Sequence, residues 1–154
     1  TTYLETLLRY YEEEIMGEVY FYGLAEYFNR TEECDKLALL AQVECFAAKA
    51  VRPLIKRHGL TPRPDKELKS GAEEWIENRD YKTWQDFVTD MSIRYPAYVD
   101  QFRALEKIAP EDDLPALKIL TDHEVILVEF ANREIKQRPD SLEPVHDYLA
   151  QSLT

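Results

Sequence analysis

The stretch LETLLRYYEEEIMGEVYFYGLAEYF, residues 4–28, decides the fold. Leu4, Leu7, Leu8, Tyr11, Glu14, Glu18, Phe21, Leu24, Ala25 and Phe28 recur at intervals of three and four, the spacing that lines one face of an α-helix. The stripe continues unbroken to Asn29-Arg30 and predicts one long first helix. Glu14 stands where that stripe should be apolar. A second stripe, Leu37, Leu40, Ala41, Glu44, Ala48, Val51 and Ile55, has the same anomaly at Glu44. A carboxylate in a core needs a cation, a proton or a set of donors, so these two positions are the best lead to function.

Working outward, Thr31 before Glu32-Glu33 reads as the cap and acidic first turn of the second helix. Pro53 predicts a kink in it and Gly59 its end. Residues 59–81 hold Pro62, Pro64 and Gly71 around the anchor pair Trp75 and Ile76, and read as a long connection with room for one short helix. Trp84, Phe87, Val88, Met91, Tyr95, Tyr98, Phe102, Leu105 and Ala109 mark a third helix, bent near Pro96 and closed by Pro110. Leu117, Leu120, His123, Leu127, Phe130, Ala131 and Glu134 mark a fourth, introduced by Glu111-Asp112-Asp113 and stopped before Pro139. Ser141 to Leu153 reads as a short final helix. The order predicts an all-α fold in a single domain over residues 1–154. It is an up-down four-helix bundle of two helical hairpins joined by a long crossover, plus a short C-terminal helix.

Composition agrees. Four glycines and 45% hydrophobic residues in 154 positions suit one helical domain with a substantial core. Acids outnumber bases 30 to 19, and the resulting charge of -11 repels phosphate backbones and anionic lipid surfaces alike. No apolar run approaches the roughly 20 residues needed to span a bilayer. The segment Thr1-Thr2-Tyr3-Leu4-Glu5 lacks the basic-then-apolar pattern of a leader. Cys34 and Cys45 fall on one expected helix, too far apart to bridge, which suits a reducing compartment and makes Cys45 a buried thiol. The expectation is a soluble cytoplasmic protein with no nucleic-acid and no membrane partner. Glycine-rich phosphate loops, Cys-x-x-Cys pairs and Gly-x-Ser-x-Gly elbows do not occur, which leaves nucleotide, zinc-ribbon and serine-hydrolase readings without support.

Helix one descends to the turn near residue 28 and helix two climbs from residue 31. At about 1.5 Å per residue, Glu14 and Glu44 each lie about 20 Å from that turn. In the second hairpin the same count sets His123 level with Tyr98, or with Tyr95 one turn away. Two carboxylates and an imidazole at one level form a ligand set for divalent iron, manganese or zinc, with positions left open for oxygen, water or substrate. Tyr95 and Tyr98 are then the candidate catalytic residues, placed to orient or donate to a bound species. The alternative is a metal-free polar core, in which the glutamates share a proton or bond to tyrosine hydroxyls and His123 is an ordinary core histidine.

At these residues the chain resembles the ferritin-like superfamily, especially its rubrerythrin-type and other small di-iron carboxylate members. Glu14-x-x-Gly17-x-x-x-Phe21-x-x-Leu24-Ala25 is similar to the family's Glu-x-x-Ala-x-x-x-Tyr-x-x-Leu-Ala, whose glutamate is an iron ligand. Ala41-x-x-Glu44-x-x-Ala47 is similar to its Glu-x-x-His pair, with alanine in the histidine place. His123 matches the histidine of the second pair, with Leu120 where the glutamate stands, and helix three has no glutamate at this level. Half of a usual di-iron ligand set is thus matched. The resemblance implies a ferritin-like fold with an altered centre holding iron or another divalent metal through Glu14, Glu44 and His123, and oxygen- or peroxide-linked oxidoreduction of a small molecule.

Two other functions compete. The missing ligands at Ala47 and Leu120 motivate a metal-free small-ligand binding or protein-interaction module of the same fold. A metal-independent acid–base enzyme would use Glu14 or Glu44 in a cavity beside Gly17 and Ala47. Among the remaining residues, Glu18, Glu124 and Glu129 are expected at solvent, and Glu134 paired with a base. His58 is expected to complement a helix end. Tyr20, Tyr22 and Tyr27 are candidates for a homodimer interface.

Overall fold

The computed structural model describes residues 2–153; Thr1 and Thr154, the ends of the expected domain, lie outside them. Capping chemistry sets the helix ends. Thr2 accepts a hydrogen bond from the Glu5 amide while the Glu5 carboxylate accepts one from the Thr2 amide, and this reciprocal box starts α1 (Tyr3–Phe28). Asn29 ends it in the left-handed conformation, with φ 64°. That turn is so short that α2 (Thr31–Arg57) begins at Thr31 itself. The expected threonine cap is therefore the first helical residue, preceded by Arg30 without a side-chain cap. Gly59, at φ 66°, reverses the chain after α2, and the amides of Gly59 and Leu60 bond back to Lys56 and Ile55.

The connection contains α3 (Asp65–Glu77), which lies along α1, with Gly71 facing Met16 and Gly23 of α1 facing Ile76. Thr83 caps α4 (Trp84–Ile108) through the Asp86 amide. A 3-10 turn over Glu111–Asp113 leads into α5 (Leu114–Ile135), and α6 (Glu143–Leu149) closes over α2 and α5. Both Pro53 and Pro96 lie inside helices that continue beyond them. All described elements are helical, and none is long and apolar enough to cross a membrane.

The helices form two hairpins, α1 with α2 and α4 with α5, on either side of the α3 crossover. They meet broadly where α2 packs on α5 and sparsely where α1 faces α4. Two apolar clusters fill the interior. One gathers Phe21, Leu24, Leu37, Leu40, Phe87, Met91, Leu127 and Phe130; the other gathers Leu7, Ala48, Val51, Ile55, Phe102, Leu105, Leu117 and Leu120. Each fully buried side chain of this size contributes about 1.5–3 kcal/mol through its removal from water. The gap between the clusters falls, along every long helix, at the polar residues marked by the sequence: after Tyr11, beside Val43, between Met91 and Phe102, and between Leu120 and Leu127.

Beyond the second cluster, buried Asp113 accepts hydrogen bonds from the Tyr3 hydroxyl at 2.6 Å and from Arg57, and lies 2.8 Å from His58 Nε2. This ties the start of α1 and the end of α2 to the α4–α5 turn. His58, expected only to complement a helix dipole, is part of that cluster. Glu134 has the expected basic partner, Lys36 at 3.0 Å, and also accepts from the Trp84 indole at 2.8 Å. Both cysteines are free, and Cys45 is half-buried rather than buried.

Candidate metal centre

Glu14 from α1, Glu44 from α2 and His123 from α5 converge in the gap between the clusters. Their exposures are 4%, 8% and 0%, and one ligand atom from each lies within 4.8 Å of the others. His123 Nε2 is the hub, 2.8 Å from Glu14 Oε1 and 2.9 Å from Glu44 Oε2. A third carboxylate joins them, Glu124, with Oε2 at 3.1 Å from the same nitrogen.

The other face of the imidazole determines what Nε2 can be. Nδ1 lies against the Leu120 carbonyl oxygen, one turn back on α5, and because a carbonyl only accepts, Nδ1 carries a proton. Nε2 then bears a second proton, accepts one from a protonated carboxyl such as Glu14, or presents a lone pair to a cation. A bare lone pair facing carboxylate oxygens is electrostatically unfavourable. Glu14 Oε1, Glu44 Oε2 and His123 Nε2 are all buried and make no well-aligned hydrogen bond, although a protonated His123 would form ion pairs with both carboxylates at these distances. The spacing suits ligands around one ion: two ligand atoms at right angles, each about 2.1 Å from a metal, are about 3.0 Å apart. The buried Glu–Glu–His group could hold a metal ion.

Without such an ion the group is electrostatically loaded. Burial opposes protonation of His123, but Glu14, Glu44 and Glu124 outweigh it and hold the imidazole well above its usual pKa. Burial raises Glu14 well above the carboxylate range, the neighbouring Glu44 raises it further, and His123 opposes both. Glu124 is also raised by burial, against the pull of His123.

Gly17 makes the packing possible. A Cβ there would fall 2.8 Å from Glu44 Cδ, so the carboxylate of α2 rests against bare backbone of α1. The sequence reads Gly17 as room for a substrate; Gly17 lines a cavity along the α1–α4 seam, and the Glu44 side chain also rests against it. Ala47, which the sequence resemblance sets in the place of a family histidine, is buried in the second apolar cluster.

The centre lies on a cavity of about 650 Å³ along the α1–α4 seam, whose lining includes Glu14, Glu44, Glu124, Tyr95 and Tyr98. The two tyrosine rings pack with centroids 5.4 Å apart. The Tyr98 hydroxyl accepts a hydrogen bond from Arg94 at 3.2 Å. Burial, reinforced by nearby Tyr20 and the carboxylates of Glu124 and Glu44, keeps the Tyr95 phenol protonated well beyond its ordinary range. Tyr20 bonds to the Tyr81 hydroxyl in the cavity wall, whereas Tyr22 and Tyr27 remain exposed.

The main correction to the sequence reading is Glu124, expected at solvent but only 5% exposed. Helical spacing contained the signal, because Leu117, Leu120, Glu124, Leu127 and Ala131 form an uninterrupted stripe of their own. His123 masked it, being taken as the single inward position of its turn. Helix α5 packs against both α2 and α4, so its buried face is wide enough for two neighbouring residues to point inward. Glu18 is half-buried and does not line the cavity. Comparison with protein-family models, curated proteins and solved structures finds no match to this chain.

Proposed function

We propose that this chain is a ferritin-like four-helix protein that binds one divalent metal ion, iron by its resemblance to that superfamily, and carries out oxygen- or peroxide-linked oxidoreduction on a small molecule. The observation that carries the reading is the convergence of three buried potential ligand atoms, on Glu14, Glu44 and His123, at ligand-to-ligand spacing. The pairing of helices, α1 with α2 and α4 with α5 across a crossover, supports the ferritin-like arrangement.

A bound divalent ion would supply Lewis-acid or one-electron chemistry at this level of the bundle. Glu14 and Glu44 would offset its charge, and Glu124 would add a third carboxylate from the cavity side. The Leu120 carbonyl holds His123 in the tautomer whose Nε2 can donate its lone pair. Tyr95 and Tyr98 would face the substrate, with the protonated Tyr95 hydroxyl available as a donor. The apolar clusters above and below keep water to the cavity side.

Elemental analysis of protein grown with iron and manganese, beside a Glu14→Ala, Glu44→Ala double variant, tests the reading. Stoichiometric metal lost in the variant supports it; the same trace level in both sinks it. A metal-free ferritin-like binding module is the second reading. It is favoured by the ability of a His123 imidazolium to neutralise part of the same carboxylate cluster, and trace metal together with saturable uptake of a small ligand would establish it.

A further inference from the structure

The cavity along the α1–α4 seam carries an excess of one sign of charge. Glu13, Glu14, Glu44, Asp80, Asp90 and Glu124 stand in its wall against Arg9, Arg79 and Arg94, which leaves three more acids than bases. A protonated His123 offsets one of these and a further proton on Glu14 another, while a divalent ion held there in their place offsets two, so the wall stays anionic in each state. The three guanidinium groups are engaged elsewhere. Arg94 lies 3.5 Å from Asp90 and donates to the Tyr98 hydroxyl, Arg79 lies over the Tyr27 ring and donates to the Ile76 carbonyl, and Arg9 lies over the Tyr10 ring. At the inner end Glu14, Glu44 and Glu124 have only the one imidazole between them.

Glu124 also has an oxygen to spare. Its side chain belongs to the cavity wall and is 5% exposed, and Oε2 faces His123 Nε2 at 3.1 Å. Oε1 accepts no hydrogen bond from any described residue and, unlike the sealed Glu14 Oε1 and Glu44 Oε2, keeps accessible surface. A largely buried carboxylate oxygen calls for a donor or a cation. The metal proposed at Glu14, Glu44 and His123 fills only one end of a space of about 650 Å³. Aromatic rings of Tyr20, Trp75, Tyr81, Tyr95 and Phe102 wall the rest, and the Phe102 ring reaches the acid end, its centroid 5.5 Å from that of His123. A second hydrated inorganic ion would gain nothing from such surface. Aromatic faces beside carboxylates suit an ammonium group on an organic body, since the ring quadrupole and charge-assisted hydrogen bonds both favour the cation.

We propose that the cavity binds a primary organic amine as its ammonium ion, with the ammonium donating to Glu124 Oε1 and the body lying against Tyr20, Trp75 and Tyr95. This assigns a substrate class to the proposed metal centre and rests on that reading for the chemistry, though not for the binding.

Phenethylamine and 2-phenylethanol, its neutral counterpart of similar size, are the ligands to titrate into the metal-free full chain by calorimetry at neutral pH. The amine is expected to bind at least about tenfold more tightly than the alcohol, and Glu124→Gln to cut that preference to less than about threefold. Trp75→Leu, at an exposed edge of the wall away from the acids, is expected to weaken both ligands several-fold and leave their ratio in place, which separates recognition of the body from recognition of the charge. Thermal melting checks the fold of each variant, and the wild-type comparison with Trp75→Leu decides the matter even where Glu124→Gln does not fold. Equal binding of the two ligands, absence of saturable amine binding, an undiminished preference in folded Glu124→Gln, or unchanged affinities in Trp75→Leu would overturn the proposal. Because the titration needs no metal, amine held through Glu124 upholds this site even where elemental analysis denies the metal. Stoichiometric metal without amine binding removes this site alone.

Discussion

Gly17→Ala separates the proposed metal centre from the stability of the fold. A Cβ at this position would sit 2.8 Å from Glu44 Cδ, 3.1 Å from Cγ and nearer still to Oε1. Non-bonded carbons rest at about 3.5–4.0 Å, so the Glu44 carboxylate must withdraw by about 1 Å. Metal–ligand distances tolerate only about 0.2 Å, and displaced supporting groups typically lower metal affinity about 10–100-fold, or 1.4–2.7 kcal/mol. Helix propensity acts the other way, since alanine in a helix interior is worth up to about 1 kcal/mol over glycine. Withdrawal relieves the repulsion between Glu44 and Glu14 but weakens the attraction of Glu44 for a protonated His123, so the two charge effects partly offset in the metal-free state. The expected result is weaker metal binding with metal-free stability unchanged or raised. Anaerobic calorimetry with Fe(II), repeated with Mn(II), reads the first quantity, and thermal unfolding of metal-free protein reads the second. Metal affinity within about twofold of wild type would refute the reasoning, because Glu44 would then reach the ion without the space that Gly17 leaves.

Glu124→Gln keeps size and hydrogen-bonding capacity but removes the third charge beside His123, and metal affinity in the same titration should fall about tenfold or more. Arg57→Ala leaves buried Asp113 with only Tyr3 and His58, and chemical denaturation should show a loss of about 1.5–3 kcal/mol, with metal stoichiometry unaffected. Burial raises the Glu134 pKa, but hydrogen bonds from Ser141, Trp84 and Lys36 outweigh it and leave the group below the usual carboxylate range. A folded pKa below the unfolded one means that Glu134 stabilises the protein above the ordinary carboxylate pKa and loses that contribution as pH falls through the lowered value. Glu134→Gln should therefore be less stable than wild type at neutral pH, and denaturation midpoints measured downward in pH should converge.

The four long helices were legible because their stripes are strong: Leu7, Phe21, Leu40, Val51, Phe87, Leu105, Leu117 and Phe130 are all buried where periodicity put them. Glu14, Glu44 and His123 were legible for the opposite reason, as polar residues interrupting those stripes at matching depth. Other features depend on relations no single stripe contains. Glu124 lies on a stripe of its own, but placing it inward beside His123 needed the knowledge that α5 has two neighbours. Gly17 needed the separation of α1 and α2 at one point along their contact. The role of Asp113 needed the end of α2, the start of α1 and the α4–α5 turn to meet.

The uneven contact between the hairpins also bears on how solutes reach the interior. Along α2–α5 the two halves are fastened by packed hydrocarbon, whereas along α1–α4 aromatic side chains stand in for helix-to-helix contact. Widening the molecule on that flank disturbs few backbone hydrogen bonds and little buried aliphatic surface, so slow breathing should concentrate there. Traffic would pass through the side of the barrel of helices, hinged on its opposite edge, and the ends would stay shut throughout.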